Sequence, residues 1–155
     1  GELDPDNARF YKQNAVRFAR QLRTIKNSYS QQLTGLDLSG VRIASTHNAY
    51  GYFLQEFGIG IDTVIEPAHG VEPSASQLQQ TIDRIRDANI QILFTELNMD
   101  NRYVSTIEKA TGIRIYHFSH MTHGAYDADQ FKREMEQNLQ TLVKALRQYA
   151  DGDPS

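Results

Sequence analysis

The 155-residue chain has no cysteine and only 4 prolines and 10 glycines. The missing cysteine removes disulfides, thiolate metal sites and cysteine nucleophiles together, and leaves the redox compartment unmarked. No apolar run approaches the ~20 residues that a membrane-spanning helix needs. Basic charge is not in excess either. Sixteen Lys and Arg against 19 Asp and Glu give a net charge of −3, the opposite of a polyanion binder's usual balance, so no nucleic-acid partner is expected. Several catalytic signatures are also missing: a His-Glu-x-x-His helix, a Gly-x-Ser-x-Gly elbow and a Walker loop. Gly58-Ile59-Gly60 lacks the third glycine of a dinucleotide loop and precedes a strand instead of following one. What is present is a globular balance, 39% hydrophobic and 23% charged, at the length of one domain. The chain opens Gly1-Glu2-Leu3-Asp4-Pro5 without methionine, signal peptide or lipobox cysteine, and a terminus trimmed by tag cleavage is expected.

Asp4 before Pro5 reads as a helix start. Ala8, Tyr11, Ala15, Phe18, Leu22, Ile25, Tyr29 and Leu33 then recur at steps of three and four until Gly35. The predicted helix, from about residue 5 to about 33, is roughly 43 Å long at 1.5 Å per residue, more than the width of so small a domain. After Gly40 strands and helices alternate. Strands are predicted at 41–45, 61–65, 90–95 and 113–118. Between them lie a helical face of Tyr50, Phe53, Leu54 and Phe57, a helix opened by a Ser74/Gln77 capping box, and a helix from Asp100 to Gly112. A last helix opens at Asp127 and Gln130. This order specifies an α/β fold: a four-stranded parallel sheet, order 2-1-3-4, with helices on both faces, preceded by one long helix. The expected division is 1–35 long helix, 36–150 α/β lobe and 151–155 frayed tail.

Ligands of an open parallel sheet gather beyond the carboxyl ends of its strands. All five histidines fall near that edge: His47 after the first strand, His69 after the second, and His117, His120 and His123 around the end of the fourth. Glu66 and Glu96 join them. Imidazole suits zinc and other late first-row metals, and carboxylates suit harder ions, so the set is chemically able to hold a metal. Each residue also has a plainer use. His47 lies in a strand-to-helix turn where polar residues serve as caps. His117 shares parity with Ile113 and Ile115 and is expected to pack at the strand end. His69 sits in a Pro-Ala-His-Gly loop. His120 and His123 converge only if their loop curls back. Glu96 caps the next turn or orients a histidine.

The run His47-Asn48-Ala49-Tyr50-Gly51-Tyr52-Phe53, followed by Phe57-Gly58, resembles the C-terminal lobe of the zinc- and manganese-binding proteins of ABC importers. The likeness extends to Glu72-Pro73-Ser74, to Leu93-Phe94-Thr95-Glu96, to Asn138-Leu139, and to Asp4-Pro5-Asp6-Asn7-Ala8 with the long helix after it, which resembles the helix connecting the family's two lobes. The resemblance implies a substrate-binding protein with one metal in the cleft between two lobes, with His47 a ligand. It further implies a separate N-terminal lobe supplying other histidines, an extracytoplasmic location (periplasmic or lipid-anchored at the cell surface), and delivery to an ABC permease. Where the family often has an aspartate ligand after the last strand, this chain reads His117-Phe118-Ser119-His120-Met121-Thr122-His123-Gly124. The ligand expected there is His123, then His120, with Glu96 orienting. The nitrogen-rich set favours zinc, with manganese as second choice. Two rival readings stand beside this one. One is a metal-dependent hydrolase with Glu96 as general base. The other is an adhesin or interaction domain without metal.

Overall fold

Ile92, Leu93 and Phe94 place apolar side chains on both faces of one strand, so that strand must be covered from both sides. The computed structural model of the chain, which describes residues 1–65, 74–97, 101–122 and 127–152, bears this out. Strand β3 (Ile92–Glu96) is central, and all of Ile92, Leu93 and Phe94 are buried. It pairs in parallel with β1 (Ile43–Ser45) on one side and β4 (Arg114–Phe118) on the other, and β2 (Thr63–Val64) pairs with β1. The sheet order is β2-β1-β3-β4, as expected. Helices α2 (Gly51–Gln55), α3 (Ala75–Asp87), α4 (Asn101–Thr111) and α5 (Gln130–Ala150) complete it, and α1 (Ala8–Leu33) precedes it.

The chain divides into two compact units, Gly1–Thr34 and Gly35–Ser155. In the first, α1 has no buried residue, and Phe10, Tyr11, Val16 and Phe18 are exposed. Asp4 and Pro5 open the helical stretch as expected, though Asp4 makes no side-chain cap bond. Pro5–Asn7 forms a 3-10 turn, and the Asp4 carboxylate binds side chains instead of helix N–H groups. It accepts from Asn7 Nδ2 at 3.0 Å and from the Tyr11 hydroxyl at 2.6 Å. The Tyr11 bond first, then Asn7, holds Asp4 below its ordinary value, and Asp4 in turn pushes the Tyr11 phenol up.

In the second unit the sheet separates two apolar layers. Ala44, Leu93 and Ile115 point to one side and meet Ile82, Ile85, Tyr103 and Ile107 of α3 and α4. Ile92, Phe94, Tyr116 and Phe118 have the opposite parity. On this side Tyr116 donates to Gln148 Oε1 at 2.6 Å, and Arg114 to the Gln148 carbonyl at 2.7 Å, fastening β4 to α5.

Several boundaries moved, each for a local reason. β1 starts later than Val41 because the Val41 N–H closes a turn on the Leu38 carbonyl and the Arg42 N–H takes Gln91 Oε1. β3 starts later than Ile90 because that residue finishes α3. The N–H groups of Asn89 and Ile90 bond the carbonyls of Arg86 and Ile85, a Schellman closure with Asn89 at φ +50°. Gly58 and Gly112, expected as stops, sit at φ +73° and +71°, where a Cβ would be strained. The capping box is present: Ser74 Oγ accepts from the Gln77 N–H, and Gln77 Oε1 from the Ser74 N–H. The N-cap of α5 is Asp129 and not Asp127. Asp127 instead accepts from the Asp129 N–H at 2.9 Å and from Arg133 Nη2. Asp100 lies outside the described residues. Among them, no helix is long and apolar enough to cross a membrane.

Candidate metal centre

Three residues at the end of β1 carry hydroxyls or a ring where apolar side chains would pack more simply, and each is tied down. The Thr46 N–H continues the ladder to the Phe94 carbonyl at 3.0 Å. Thr46 Oγ1 meets Thr95 Oγ1 at 3.3 Å, and Ser45 Oγ donates to the His47 carbonyl at 2.7 Å. These bonds satisfy buried polar groups and fix the turn in which His47 emerges, itself 9% exposed. Its Nε2 lies 3.3 Å from Glu96 Oε1, the last residue of β3. Glu96 shares parity with Phe94, so the carboxylate leaves the sheet on the α5 side.

The third member comes from beyond β4. Ser119 is gripped by α5: its N–H donates to Asn138 Oδ1 and its carbonyl accepts from Asn138 Nδ2, both at 2.8 Å. Ser119 Oγ donates to the Glu134 carboxylate and accepts from the Met121 N–H at 2.9 Å. Met121, at φ +60°, turns the chain sharply. Between these anchors His120 projects back, its Nδ1 3.8 Å from Glu96 Oε2. Glu96 thus stands between two imidazoles delivered by different strand ends.

An aromatic bed lies beneath them. Phe94 and Phe118 stack at 4.4 Å with planes 9° apart, and Tyr50 meets Phe118 edge-on at 5.1 Å. The Tyr50 and His120 rings lie 5.3 Å apart. The Tyr50 hydroxyl and His120 Nε2 are buried with no hydrogen-bond partner among the described residues. Burial first, then the negative charge of Glu96, pushes the Tyr50 phenol far up, so it remains a protonated donor.

Of the residues singled out in the sequence, His47, Glu96 and His120 come together. His117 sits half-buried on β4 with parity opposite to Phe118, away from Tyr50. Glu66, His69, Glu72 and His123 lie outside the described residues. Among the described ones, no three His, Asp or Glu side chains form a group able to hold a metal ion by themselves. Sequence reasoning missed Tyr50 as a polar neighbour of the histidines and Asn138 as the clamp on their loop. Tyr50 carried a signal, three residues beyond His47 in the same strand-to-helix turn. The partner of Asn138 is 19 residues away in sequence and left none.

Imidazoles and a carboxylate from separate strand ends thus lie at the edge where α/β sheets take their ligands, and their donor chemistry is of the kind that late first-row metals accept. The chain belongs to the family of the periplasmic zinc-uptake complex component A, whose model matches residues 1–145. It is 29% identical over 111 residues to the high-affinity zinc uptake system protein ZnuA of Paracoccus denitrificans, covering 72% of this chain and 33% of that protein. To the manganese-binding lipoprotein MntA of Halalkalibacterium halodurans it is 23% identical, covering 95% and 50%. Among solved structures, that of the SBP FpvC from Pseudomonas aeruginosa in complex with Mn2+ is similar at 39% identity and a TM-score of 0.88, covering 96% of this chain and 56% of the other. The laminin-binding protein Lmb of Streptococcus agalactiae, described as having adhesin and metal-transporting activity, is similar at 25% identity and a TM-score of 0.68. The chain spans half or less of the length of these two curated relatives.

Proposed function

We propose that this chain is the metal-binding lobe of an extracytoplasmic substrate-binding protein, taking up a divalent transition-metal ion for delivery to an ABC permease. The observation that carries the reading is the meeting of His47, Glu96 and His120 at the carboxyl edge of the sheet, in a chain whose family is one of metal uptake. His47 and His120 are the proposed ligands, with His123 a further candidate, and Glu96 orients the two imidazoles. Two imidazoles favour zinc over manganese. They do not fill a four-coordinate shell, so the remaining donors come from water or from a second lobe, in keeping with relatives about twice as long or longer. The helix α1 is proposed to connect the two lobes, with 36–150 as the lobe proper. The chemistry is reversible coordination and not catalysis.

Calorimetric titration of the chelator-treated chain with zinc and with manganese tests the proposal. One ion per chain is expected, zinc the tighter, with affinity lowered by His47→Ala. A chain that takes up neither metal would overturn it.

A further inference from the structure

Two buried polar atoms without a hydrogen-bond partner among the described residues belong to neighbouring rings: the Tyr50 hydroxyl and His120 Nε2. Tyr50 is 4% exposed, so solvent does not satisfy its hydroxyl. A buried hydroxyl left unpaired lowers stability, and native structures retain few such groups without a use for them. Phenylalanine would make the same edge contact with Phe118 at no such cost. The described residues thus give the hydroxyl no partner that would explain it.

Its surroundings indicate the use. The charged group whose field reaches the phenol is Glu96, yet no bond joins them. Glu96 is instead turned to His47 Nε2 at 3.3 Å and His120 Nδ1 at 3.8 Å. His120 faces Glu96 through Nδ1, which leaves its Nε2, without a hydrogen-bond partner among the described residues, for an ion. His47 is different, because the nitrogen facing Glu96 is Nε2 itself. An ion that recruits this nitrogen takes a partner away from Glu96 Oε1.

We propose that Tyr50 is a positioning residue for ion uptake, its hydroxyl held in reserve as the donor that bonds the Glu96 carboxylate when His47 turns to the ion. This inference rests on the metal-site reading above. Glu96 would then exchange His47 Nε2 for the Tyr50 hydroxyl, the neutral His47 ring keeping its proton on Nδ1 while Nε2 binds the ion, and Tyr50 would favour the loaded state by gaining a partner there.

The test compares the unsubstituted chain with Tyr50→Phe, using zinc ion as the probe and two readouts. Without metal, Tyr50→Phe should melt higher, by about 3 °C, because an unpaired buried hydroxyl is gone. With zinc it should bind about tenfold more weakly, equivalent to about 1.4 kcal/mol. The opposite signs separate this role from a packing role, which would lower the melting temperature or leave affinity alone. Unchanged zinc affinity, or a lower melting point without metal, overturns the proposal. The same substitution in a Glu96→Ala background should have little further effect on affinity, and a persisting tenfold loss would exclude Glu96 as the partner. If the unsubstituted chain takes up no zinc, the metal-site reading fails and Tyr50's role falls with it. Binding that is indifferent to Tyr50→Phe removes only Tyr50.

Discussion

Asn138 holds Ser119 by both backbone polar groups, accepting its N–H and donating to its carbonyl at 2.8 Å each. The carboxamide thus imitates a strand partner at the point where β4 has left the sheet. It is 4% exposed, so no water replaces it. The consequence reaches the next residue, since His120 is placed against Glu96 by a chain that Asn138 fixes from α5.

Replacing Asn138 by leucine takes the partner from a half-buried N–H and carbonyl of Ser119. A loss of about 2 kcal/mol in stability is expected, together with weaker zinc binding as His120 loses its anchorage. Urea unfolding and zinc titration of the same variant measure both. A stability loss with affinity intact would show that the loop keeps its course without the clamp.

His47→Ala should weaken zinc binding at least tenfold, about 1.4 kcal/mol or more, with His120→Ala comparable. Glu96→Ala should cost about 10–100-fold, the usual range for a residue that orients metal-binding imidazoles. Calorimetry on the three variants ranks them. Full affinity in His47→Ala would remove the central residue of the site.

Zinc affinity should fall between a neutral and an acidic buffer, because protons compete with the ion for its donors. Titrations across that interval read the slope. A flat profile would point to carboxylate donors, and attention would pass to Glu66, Glu72 and Glu96.

Phe118 is fully buried, stacked on Phe94 and in edge contact with Tyr50 and Phe53. Phe118→Ala should cost about 3–5 kcal/mol through lost burial and the cavity left behind. Denaturant midpoints test this. A loss under about 1 kcal/mol would mean that the surrounding rings collapse into the space.

Acid should loosen the start of α5. The Asp129 N–H first, then Arg133, holds the Asp127 carboxyl below its ordinary value. A carboxylate with a depressed value adds stability that is present above the unfolded-state value of about 3.9 and lost as pH falls through the folded one. Asp127→Asn should therefore flatten the acid limb of the stability curve near that pH. An identical limb in the variant would assign it to other carboxylates.

Much of this molecule is legible locally. The alternation of helical and strand periods, the Ser74/Gln77 box, and the glycines at 58 and 112 each encode an element or its end within a few residues, since backbone sterics and i to i+4 geometry act at short range. The parallel order 2-1-3-4 follows from right-handed crossovers and the doubly apolar strand at 92–94. Histidines at the strand ends marked the carboxyl edge as the place for chemistry. Which of them meet was decided elsewhere. His120 reaches Glu96 because Asn138 and Glu134, on a helix later in the chain, grip Ser119 and because Met121 turns through a left-handed conformation. The Tyr50 hydroxyl is buried, without a partner among the described residues, where Phe118 and His120 from the end of β4 pack against its ring. Pairings over such separations depend on packing and on the burial of polar groups. Those quantities take values only once the sheet and its helices have come together.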